Sequence, residues 1–319
     1  MAIRTPLSLD DVAPCLSDLG RDPTGLVLVP VHAGTVNTSY AVTLASGERI
    51  FLRLYEQQDV EGARQEAVLL ATLAARHVPT PCPIARSDGE PVTVVRGKAL
   101  VAFPFLPGTT TPQASVTVAH TRAVGAALAR FHGAVFGLPA AEGRFGRDAL
   151  LALARGFRTH SSCSVRDIAP FLVAELSRDD GVAARDPSLP GGLIHGDLFR
   201  DNVLFVGENL TALLDFESAQ RGTFVYDLAV VFLSWCYGAS FDWALARALV
   251  EGYEEVRPLE ELEWAGLFAE ARFGCLRFAT TRIADDTWRV GKLYRRFLTR
   301  LTAISALSLI HISEPTRPY

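Results

Sequence analysis

The chain has 319 residues, of which 49% are hydrophobic, enough apolar material to bury two cores. Its formal net charge of −4 argues against general nucleic-acid binding, and no apolar run reaches the roughly 18 residues of a membrane-spanning helix. The amino-terminal segment lacks a signal-peptide core, so we expect a cytoplasmic protein without membrane association. The five cysteines include no C-x-x-C pair, which argues against a disulfide framework or a zinc site.

The first third of the chain predicts a small sheet with accompanying helices. Runs rich in β-branched and aromatic residues predict strands, and apolar residues at helical spacing predict helices. In chain order these are a helix over 9–19, strands over 27–31, 39–44 and 49–55, a helix over 62–76 and a strand over 99–106. The last strand runs into Pro107-Gly108, where we place the end of an amino-terminal nucleotide-binding lobe, residues 1–107.

The rest of the chain is predominantly helical in its apolar spacing. The predicted helices cover 113–135, 147–156, 166–178, 224–237, 240–254, 259–283 and 286–304. We therefore predict an α+β protein in which residues 108–307 form a larger, mostly helical catalytic and substrate-binding lobe. Residues 308–319 have no helical period and are predicted to be a non-native or disordered tail.

A predicted β-hairpin interrupts these helices. Its strands are the apolar runs at 203–206 and 211–214, which are separated by four residues that include good turn formers. A turn centred on Glu208-Asn209 would place Asn202 directly opposite Asp215. Side chains paired in this way have Cβ atoms about 4.5 to 5.5 Å apart, close enough to bind one cation.

The residues around the hairpin have the chemistry of phosphoryl transfer. The oxygens of Asn202 and Asp215 are of the kind that Mg2+ takes, and Asp197 would remain available to accept the proton of an attacking hydroxyl. The pattern His-x-Asp-x-x-x-x-Asn from His195, followed by Asp-Phe at Asp215, is that of a protein-kinase catalytic loop and metal motif. The alternative is that these residues only cap turns and end a strand.

The amino-terminal lobe contains candidate ATP-binding residues. The loop between its first two strands includes Gly34, Asn37 and Ser39 and could bring backbone N–H groups over the phosphates of ATP. An ordinary hairpin turn is the alternative. Arg53 on the third strand and Glu66 on the following helix could form the cation–acid pair that kinases use near the phosphates, with a surface ion pair as the alternative.

The segment Leu193–Phe216, together with Tyr226–Ala229, resembles the aminoglycoside phosphotransferase and choline kinase superfamily. The chain is most similar to the homoserine kinase branch of that superfamily. Further segments that contribute to the likeness are Val36–Tyr40, Leu54–Glu56, Trp235-Cys236, Glu251–Tyr253, Val256–Leu259, Leu276–Phe278 and Thr281-Arg282.

The resemblance implies a bilobal protein-kinase-like fold, ATP with Mg2+ as cofactors, and O-phosphorylation of L-homoserine in threonine biosynthesis. It implies that Asp197 is the catalytic base, that Asn202 and Asp215 are the metal ligands, and that His195 and Asp227 hold the catalytic loop in shape. A buried histidine with a satisfied hydrogen bond is the alternative for His195. A helix N-cap is the alternative for Asp227.

The charge pattern of residues 272–300 indicates the class of acceptor. Eight basic residues lie there against two acidic ones, which suits the carboxylate of an amino acid better than a polycationic antibiotic or choline. Arg277 and Arg282 are the candidate contacts to that carboxylate, and a solvated helix face is the alternative. The same chemistry could serve another amino alcohol, a sugar or an aminoglycoside. A non-catalytic nucleotide-binding protein is the remaining hypothesis.

Overall fold

The structure is a computed structural model that describes residues 5–31, 36–178, 185–186, 188–285 and 293–305. Its residues form two compact units, each treated separately below. The sheet unit comprises Met1–Thr109, Leu204–Val206 and Thr211–Glu217, and the helical unit comprises Thr110–Val203, Gly207–Leu210 and Ser218–Tyr319. The predicted α+β class, a small antiparallel sheet with a larger helical part, is confirmed.

The sheet unit contains one five-stranded antiparallel sheet in the order β1-β2-β3-β5-β4. Alternate residues of β3 point to the core, where Ile50, Leu52 and Leu54 are almost completely buried. The helix α1 begins at the N-cap Ser8, whose side chain forms a capping box with Asp11. The elements are α1 Leu9–Asp18, β1 Val27–Val31, β2 Thr38–Thr43, β3 Arg49–Leu54, α2 Val60–Ala75, β4 Val92–Val95 and β5 Lys98–Pro104.

The strand β4 was absent from the sequence-based prediction. It pairs with β5 through a turn of two residues, Arg96 and Gly97, whose φ angles of 51° and 77° are both positive. Such a turn matches the twist of a hairpin, and Asn-Gly or Asp-Gly is its usual sequence signal. An Arg-Gly pair gives no such signal, so the four-residue strand before it was missed.

The helical unit is built around α6, in which every residue is buried. Elsewhere, α3 and α7 cross so closely that a Cβ on Gly125 would lie 2.1 Å from the carbonyl oxygen of Leu249, and one on Gly252 2.1 Å from that of Arg122. The described elements are α3 Val118–Ala134, α4 Arg147–Gly156, α5 Cys163–Ser177, β6 Gly191–Ile194, β9 Gln220–Thr223, α6 Phe224–Trp235, α7 Trp243–Glu254, α8 Glu261–Ala284 and α9 Arg295–Ser305.

Two predicted helices differ from the structure. The predicted helix over 113–135 is wrong as one element, since a short 3-10 helix at Gln113–Ser115 ends before α3. The reason is Thr117, whose side chain caps α3 in a capping box with His120 and so starts a new helix. Part of the predicted helix over 286–304 and the predicted tail over 308–319 lie outside the described residues.

The predicted hairpin is present as β7 Val203–Val206 and β8 Asn209–Leu213. Its turn is Gly207 and Glu208, so the predicted centre at Glu208-Asn209 is wrong by one residue. Gly207 has a φ of 59°, which a residue without a Cβ adopts at little cost and which allows the tighter turn. As a result, Asp215 lies beyond the end of β8, and direct opposition to Asn202 is not a feature of the hairpin.

Within the described ranges, no helix is both long and apolar enough to cross a membrane.

Candidate active site

The predicted catalytic loop, residues 195–202, follows β6 in the helical unit. Gly196 has a φ of 74°, and the loop turns there so that the Phe199 N–H donates to the Asp197 carbonyl oxygen at 2.7 Å. The Asp197 N–H donates to Nδ1 of the fully buried His195 at 3.3 Å. Asp197 itself keeps 34% of its side chain exposed, whereas Leu198 is completely buried. The turn therefore presents one carboxylate to solvent from a fixed backbone.

Asp227 holds this loop by its backbone. Its two carboxylate oxygens accept the N–H groups of His195 at 2.6 Å and of Gly196 at 2.7 Å, and the side chain is completely buried. The N-cap of α6 is Thr223, so the helix-cap alternative for Asp227 is wrong. Removal of this acceptor would leave two buried donors without a partner.

A chain of buried hydrogen bonds leads to Asp227 from α7. Arg257, which can only donate, contacts the Tyr253 hydroxyl oxygen at 3.1 Å, and that hydroxyl lies 2.7 Å from Nδ1 of His132. Nε2 of His132 lies 3.2 Å from Oδ2 of Asp227, the oxygen that also accepts the His195 N–H. Tyr253 therefore donates to His132, which in turn donates from Nε2 to Asp227.

The charge state of this chain follows from its burial. Burial lowers the pKa of His132, and the opposing effect of Asp227 does not cancel it. The imidazole is thus neutral, with its proton on Nε2. Arg257 is also tied to the buried carboxylate of Glu263 at 3.0 Å. Tyr253 and Arg257 lie in segments that contribute to the family resemblance, but the sequence assigns them no role, and no motif marks His132.

Asn202 is oriented by the same loop. Its Nδ2 donates to the Asp197 carbonyl oxygen at 2.8 Å, and its backbone N–H donates to the Phe199 carbonyl at 3.0 Å. Since an amide carries its oxygen opposite its nitrogen, Oδ1 is the end that faces away from the loop backbone and suits a cation.

The two arginines predicted to contact a substrate carboxylate lie on α8 but have different surroundings. Arg277 is only 6% exposed, donates to the Gly196 carbonyl oxygen at 3.1 Å, and lies 3.6 Å from Oδ1 of Asp197. Arg282 is partly exposed, and its guanidinium lies 4.4 Å from the ring centroid of Phe297 and 5.7 Å from that of Phe199. Arg277 thus fixes the loop, while Arg282 lies beside it.

In the sheet unit, Arg53 and Glu66 form an ion pair of 3.4 Å. The side chains are 17% and 4% exposed, so the surface-pair alternative is wrong. Burial raises the pKa of Glu66 to about 7, against the opposing charge of Arg53 and with the help of Glu217 and Asp215. Burial also disfavours the charged form of Arg53, but the surrounding acidic groups outweigh it and raise that pKa.

Around this pair, Ser39 is the strand partner of Arg53 in the β2–β3 register. Asn37 donates to a carboxylate oxygen of Glu217 and accepts the Glu56 N–H at 3.2 Å through Oδ1. Gly34 lies outside the described residues. The structure therefore brings Asn37, but not the whole predicted phosphate loop, into a defined network.

Asp215 has a left-handed backbone with a φ of 66°, and the next residue, Phe216, is buried. A non-glycine residue in this conformation is uncommon and such strain is concentrated at functional sites. No group of three or more His, Cys, Asp or Glu in the described part of the chain could hold a metal ion by itself. Mg2+ commonly uses one or two protein oxygens and completes its octahedron with phosphate and water, and the side chains of Asp215 and Asn202 each carry an oxygen of the kind it takes.

Comparison with known proteins gives consistent results. The model of the phosphotransferase enzyme family matches residues 27–259. The homoserine kinase of Afipia carboxidovorans is 34% identical over 296 residues, which is 89% of this chain and 87% of that protein. The homoserine kinase of a Methylobacterium species is 34% identical over 295 residues, 89% of this chain and 88% of its own.

Solved structures show the same fold at low sequence identity. The amicoumacin kinase hAmiN in complex with AMP-PNP, Ca2+ and Ami has a TM-score of 0.65 at 15% identity, covering 89% of this chain and 91% of its own. The spectinomycin phosphotransferase APH(9)-Ia, in complex with ADP and spectinomycin, has a TM-score of 0.69 at 14% identity, covering 97% and 100%.

Proposed function

The chain belongs to the phosphotransferase enzyme family, and from this membership we propose that it transfers the γ-phosphate of ATP to the hydroxyl group of L-homoserine. The enzyme class, a phosphotransferase with an alcohol group as acceptor, follows from the family and from the homoserine kinases at 34% identity. The observation that carries the finer proposal is the catalytic loop, in which Asp197 projects from a backbone fixed by Asp227 and Arg277.

In the proposed reaction, Asp197 accepts the proton of the acceptor hydroxyl as the hydroxyl oxygen attacks the γ-phosphorus of ATP. The bond from that phosphorus to the bridging oxygen breaks, and ADP leaves. The short bond from Asn202 to the Asp197 carbonyl and the contact from Arg277 to the Asp197 carboxylate keep the base in one position. Positioned proton transfer of this kind contributes about 10²- to 10⁴-fold to the rate.

Asn202 and Asp215 are the proposed Mg2+ ligands. When bound, the ion would neutralise the charge on the phosphates and orient the γ-phosphoryl group for attack. Arg53, which Glu66 holds in a buried pair, is the proposed phosphate-positioning cation in place of the usual lysine. Asn37 and Ser39 are proposed to line the nucleotide side, with Gly34 in the same loop.

The choice of L-homoserine rests on the curated relatives and on the excess of arginine near Asp197, which suits a carboxylate-bearing alcohol. Arg282 is the proposed contact to this carboxylate. The placement of Arg277 supports a role on the loop, through Gly196 and Asp197, in preference to the substrate.

The test is a coupled assay of ADP release with ATP, Mg2+ and a panel of acceptors that includes L-homoserine, L-serine, choline, spectinomycin and kanamycin. We expect turnover with L-homoserine, identified as O-phosphohomoserine by mass spectrometry and abolished in Asp197→Asn. Turnover of a different acceptor, without turnover of L-homoserine, would reject L-homoserine as the substrate. ATP binding without turnover of any acceptor would favour the non-catalytic hypothesis.

A further inference from the structure

The side chain of Asn37 connects two parts of the sheet unit that lie far apart in the chain. Its Nδ2 donates to Oε1 of Glu217, and its Oδ1 accepts the Glu56 N–H at 3.2 Å. These partners fix the orientation of the amide, because a backbone N–H requires an acceptor and a carboxylate requires a donor. Both ends of the amide are therefore engaged within the protein. We call the contacts from Glu56 through Asn37 to Glu217 the Asn37 bridge.

The Glu56 end of the Asn37 bridge is held by a buried network. The Glu56 side chain is only 3% exposed and forms an ion pair with Lys98. Its carboxylate also accepts the hydroxyl of Thr38, the first residue of β2, and that of Thr5 at 3.0 Å. A buried carboxylate whose partners are all in place stabilises one arrangement of its surroundings. Asn37 is therefore fixed to the sheet at the residue before β2 begins.

The Glu217 end of the bridge lies two residues after Asp215, the proposed Mg2+ ligand. Asp215 has a φ of 66°, and a residue with a Cβ keeps such a conformation only where its surroundings hold it there. The chain directly after this turn is held by the burial of Phe216, which is 2% exposed, and by the bond from the Asn37 amide to the Glu217 carboxylate. The direction of the Asp215 side chain therefore depends on a bond that Asn37 makes.

On the premise of the proposed function, we propose that Asn37 is a positioning residue of the Mg2+ site. Through Glu217 it holds the turn that directs the Asp215 carboxylate, while neither Asn37 nor Glu217 contacts the ion. This role requires a side chain that accepts from the Glu56 N–H and donates to Glu217 at the same time. Asparagine meets that requirement, whereas aspartate, which has the same shape, can only accept.

Three variants of nearly unchanged shape test the bond between Asn37 and Glu217. Asn37→Asp keeps the acceptor for the Glu56 N–H but places a second carboxylate against Glu217, so the bond is replaced by like-charge repulsion. Glu217→Gln keeps an acceptor for Asn37, but a neutral one. In the double variant the donor and the acceptor are exchanged, so that the amide at position 217 donates to the carboxylate at position 37 and the bond is restored in the opposite direction.

The measurement is the binding of AMP-PNP, an ATP analogue, by calorimetry with Mg2+ and with EDTA. The factor by which Mg2+ lowers the Kd of AMP-PNP is the Mg2+-dependent gain of each protein. Asn37→Asp should reduce this gain at least about 10-fold, because a hydrogen bond to a charged group is lost. Glu217→Gln should reduce it only about 3-fold, since a neutral oxygen accepts more weakly than a carboxylate. The double variant, with its charged acceptor restored, should lie within about 2-fold of the wild type.

A direct effect of charge on the ion predicts the opposite order of the variants. The additional carboxylate of Asn37→Asp would then increase the Mg2+-dependent gain, and Glu217→Gln, which removes a negative charge, would show the largest loss. That order, or a double variant no better than Asn37→Asp, overturns the proposal. A wild type whose binding of AMP-PNP does not depend on Mg2+ rejects it as well, together with Asp215 as a metal ligand.

A further variant tests the bond without a change at Asn37. Glu217→Met removes the acceptor altogether and should reduce the Mg2+-dependent gain at least about 10-fold, clearly more than Glu217→Gln. Equal losses in these two variants would assign the effect to the charge of Glu217 and reject the role of Asn37.

Thermal unfolding separates positioning from a general loss of structure. Asn209→Asp, the same substitution at an exposed residue of β8, is the matched control and should change neither the Mg2+-dependent gain nor the unfolding temperature. A lower unfolding temperature of Asn37→Asp, with AMP-PNP binding weakened equally with Mg2+ and with EDTA, would show that the bridge is only structural. L-Homoserine enters none of these measurements, so the predicted order of variants without phosphorylation of L-homoserine would reject the proposed function and leave the positioning role standing.

Discussion

The buried acids of the two units have different partners. Asp227, in the helical unit, accepts the N–H groups of His195 and Gly196 and lies 3.2 Å from Nε2 of His132, so donors reach both of its carboxylate oxygens. Glu66, in the sheet unit, is 6% exposed, and its Oε2 has no hydrogen-bond partner among the described residues. The difference indicates that hydrogen bonds hold the acid of the loop, whereas Glu66 depends on the charge of Arg53.

The largest effect expected is on the reacting carboxylate of the loop. Asp197→Asn removes the proton acceptor but keeps the side-chain shape, so kcat should fall by about 10³-fold or more, within the range for positioned bases. The unfolding temperature should change little, because Asp197 is partly exposed. Asp148→Asn, on an exposed turn of α4, is the control and should keep full activity. Near-normal kcat in Asp197→Asn would assign the base elsewhere.

The next-largest effect is expected at Asp227, whose carboxylate holds the backbone of the loop. Asp227→Asn replaces one carboxylate oxygen by a donor that faces the loop N–H groups, which should lower the free energy of unfolding by about 3 kcal/mol as well as kcat. Urea denaturation measures the first quantity. Asp242→Asn is the control, because asparagine caps the start of α7 as well as aspartate does. Equal stability of the two variants would contradict the role of Asp227.

The third effect concerns the pH dependence of stability that arises from Glu66, in the buried pair with Arg53. The pKa of Glu66 is raised from 4.5 to about 7, so the folded state holds a proton there that the unfolded chain has lost. Stability should therefore fall as pH rises between those values, by up to about 3 kcal/mol. Glu66→Gln should flatten that fall in urea titrations at pH 5 and pH 8. The same slope in the variant would assign the effect to another group.

The smallest effect concerns the hydrogen-bond chain behind the loop. Tyr253→Phe removes the donor to Nδ1 of His132, so the unfolding free energy should fall by about 1 kcal/mol and kcat a few-fold, with KM for ATP unchanged. The ¹⁵N chemical shifts of His132 should report the Nε2–H tautomer in the wild type and a mixture in the variant. A pure Nε2–H signal in Tyr253→Phe would show that Asp227 alone fixes the tautomer.

Local sequence patterns predict many of the helices and strands but fewer of the contacts at the site. The strand at 27–31 and the helix at 147–156 were predicted at their observed bounds, since alternation and helical spacing are local properties. The break before α3 and the Arg96-Gly97 turn were missed because both depend on caps and turns whose signals are weak in this chain.

The partners of the site residues could not be read from spacing. His132 and Tyr253 meet across 121 positions of the chain, and although Tyr253 lies in a segment of the family resemblance, nothing local predicts that the two are partners. The charge pattern predicts the same role for Arg277 and Arg282. The structure separates them, because Arg277 donates to the Gly196 carbonyl, whereas Arg282 lies beside the ring of Phe297. Motif spacing did bring Asp197 and Asn202 together, because both lie in one short loop.

The crossing of α3 and α7 limits which sequences can preserve this enzyme. Gly252 lies one residue before Tyr253, and main chain meets main chain there, so even a methyl group would force the helices apart. Tyr253 would then move away from His132, its partner in the hydrogen-bond chain to Asp227. In a mutational library, positions 125 and 252 should therefore be as intolerant as Asp197, and homologous chains that vary there should have lost or rebuilt the support of the loop.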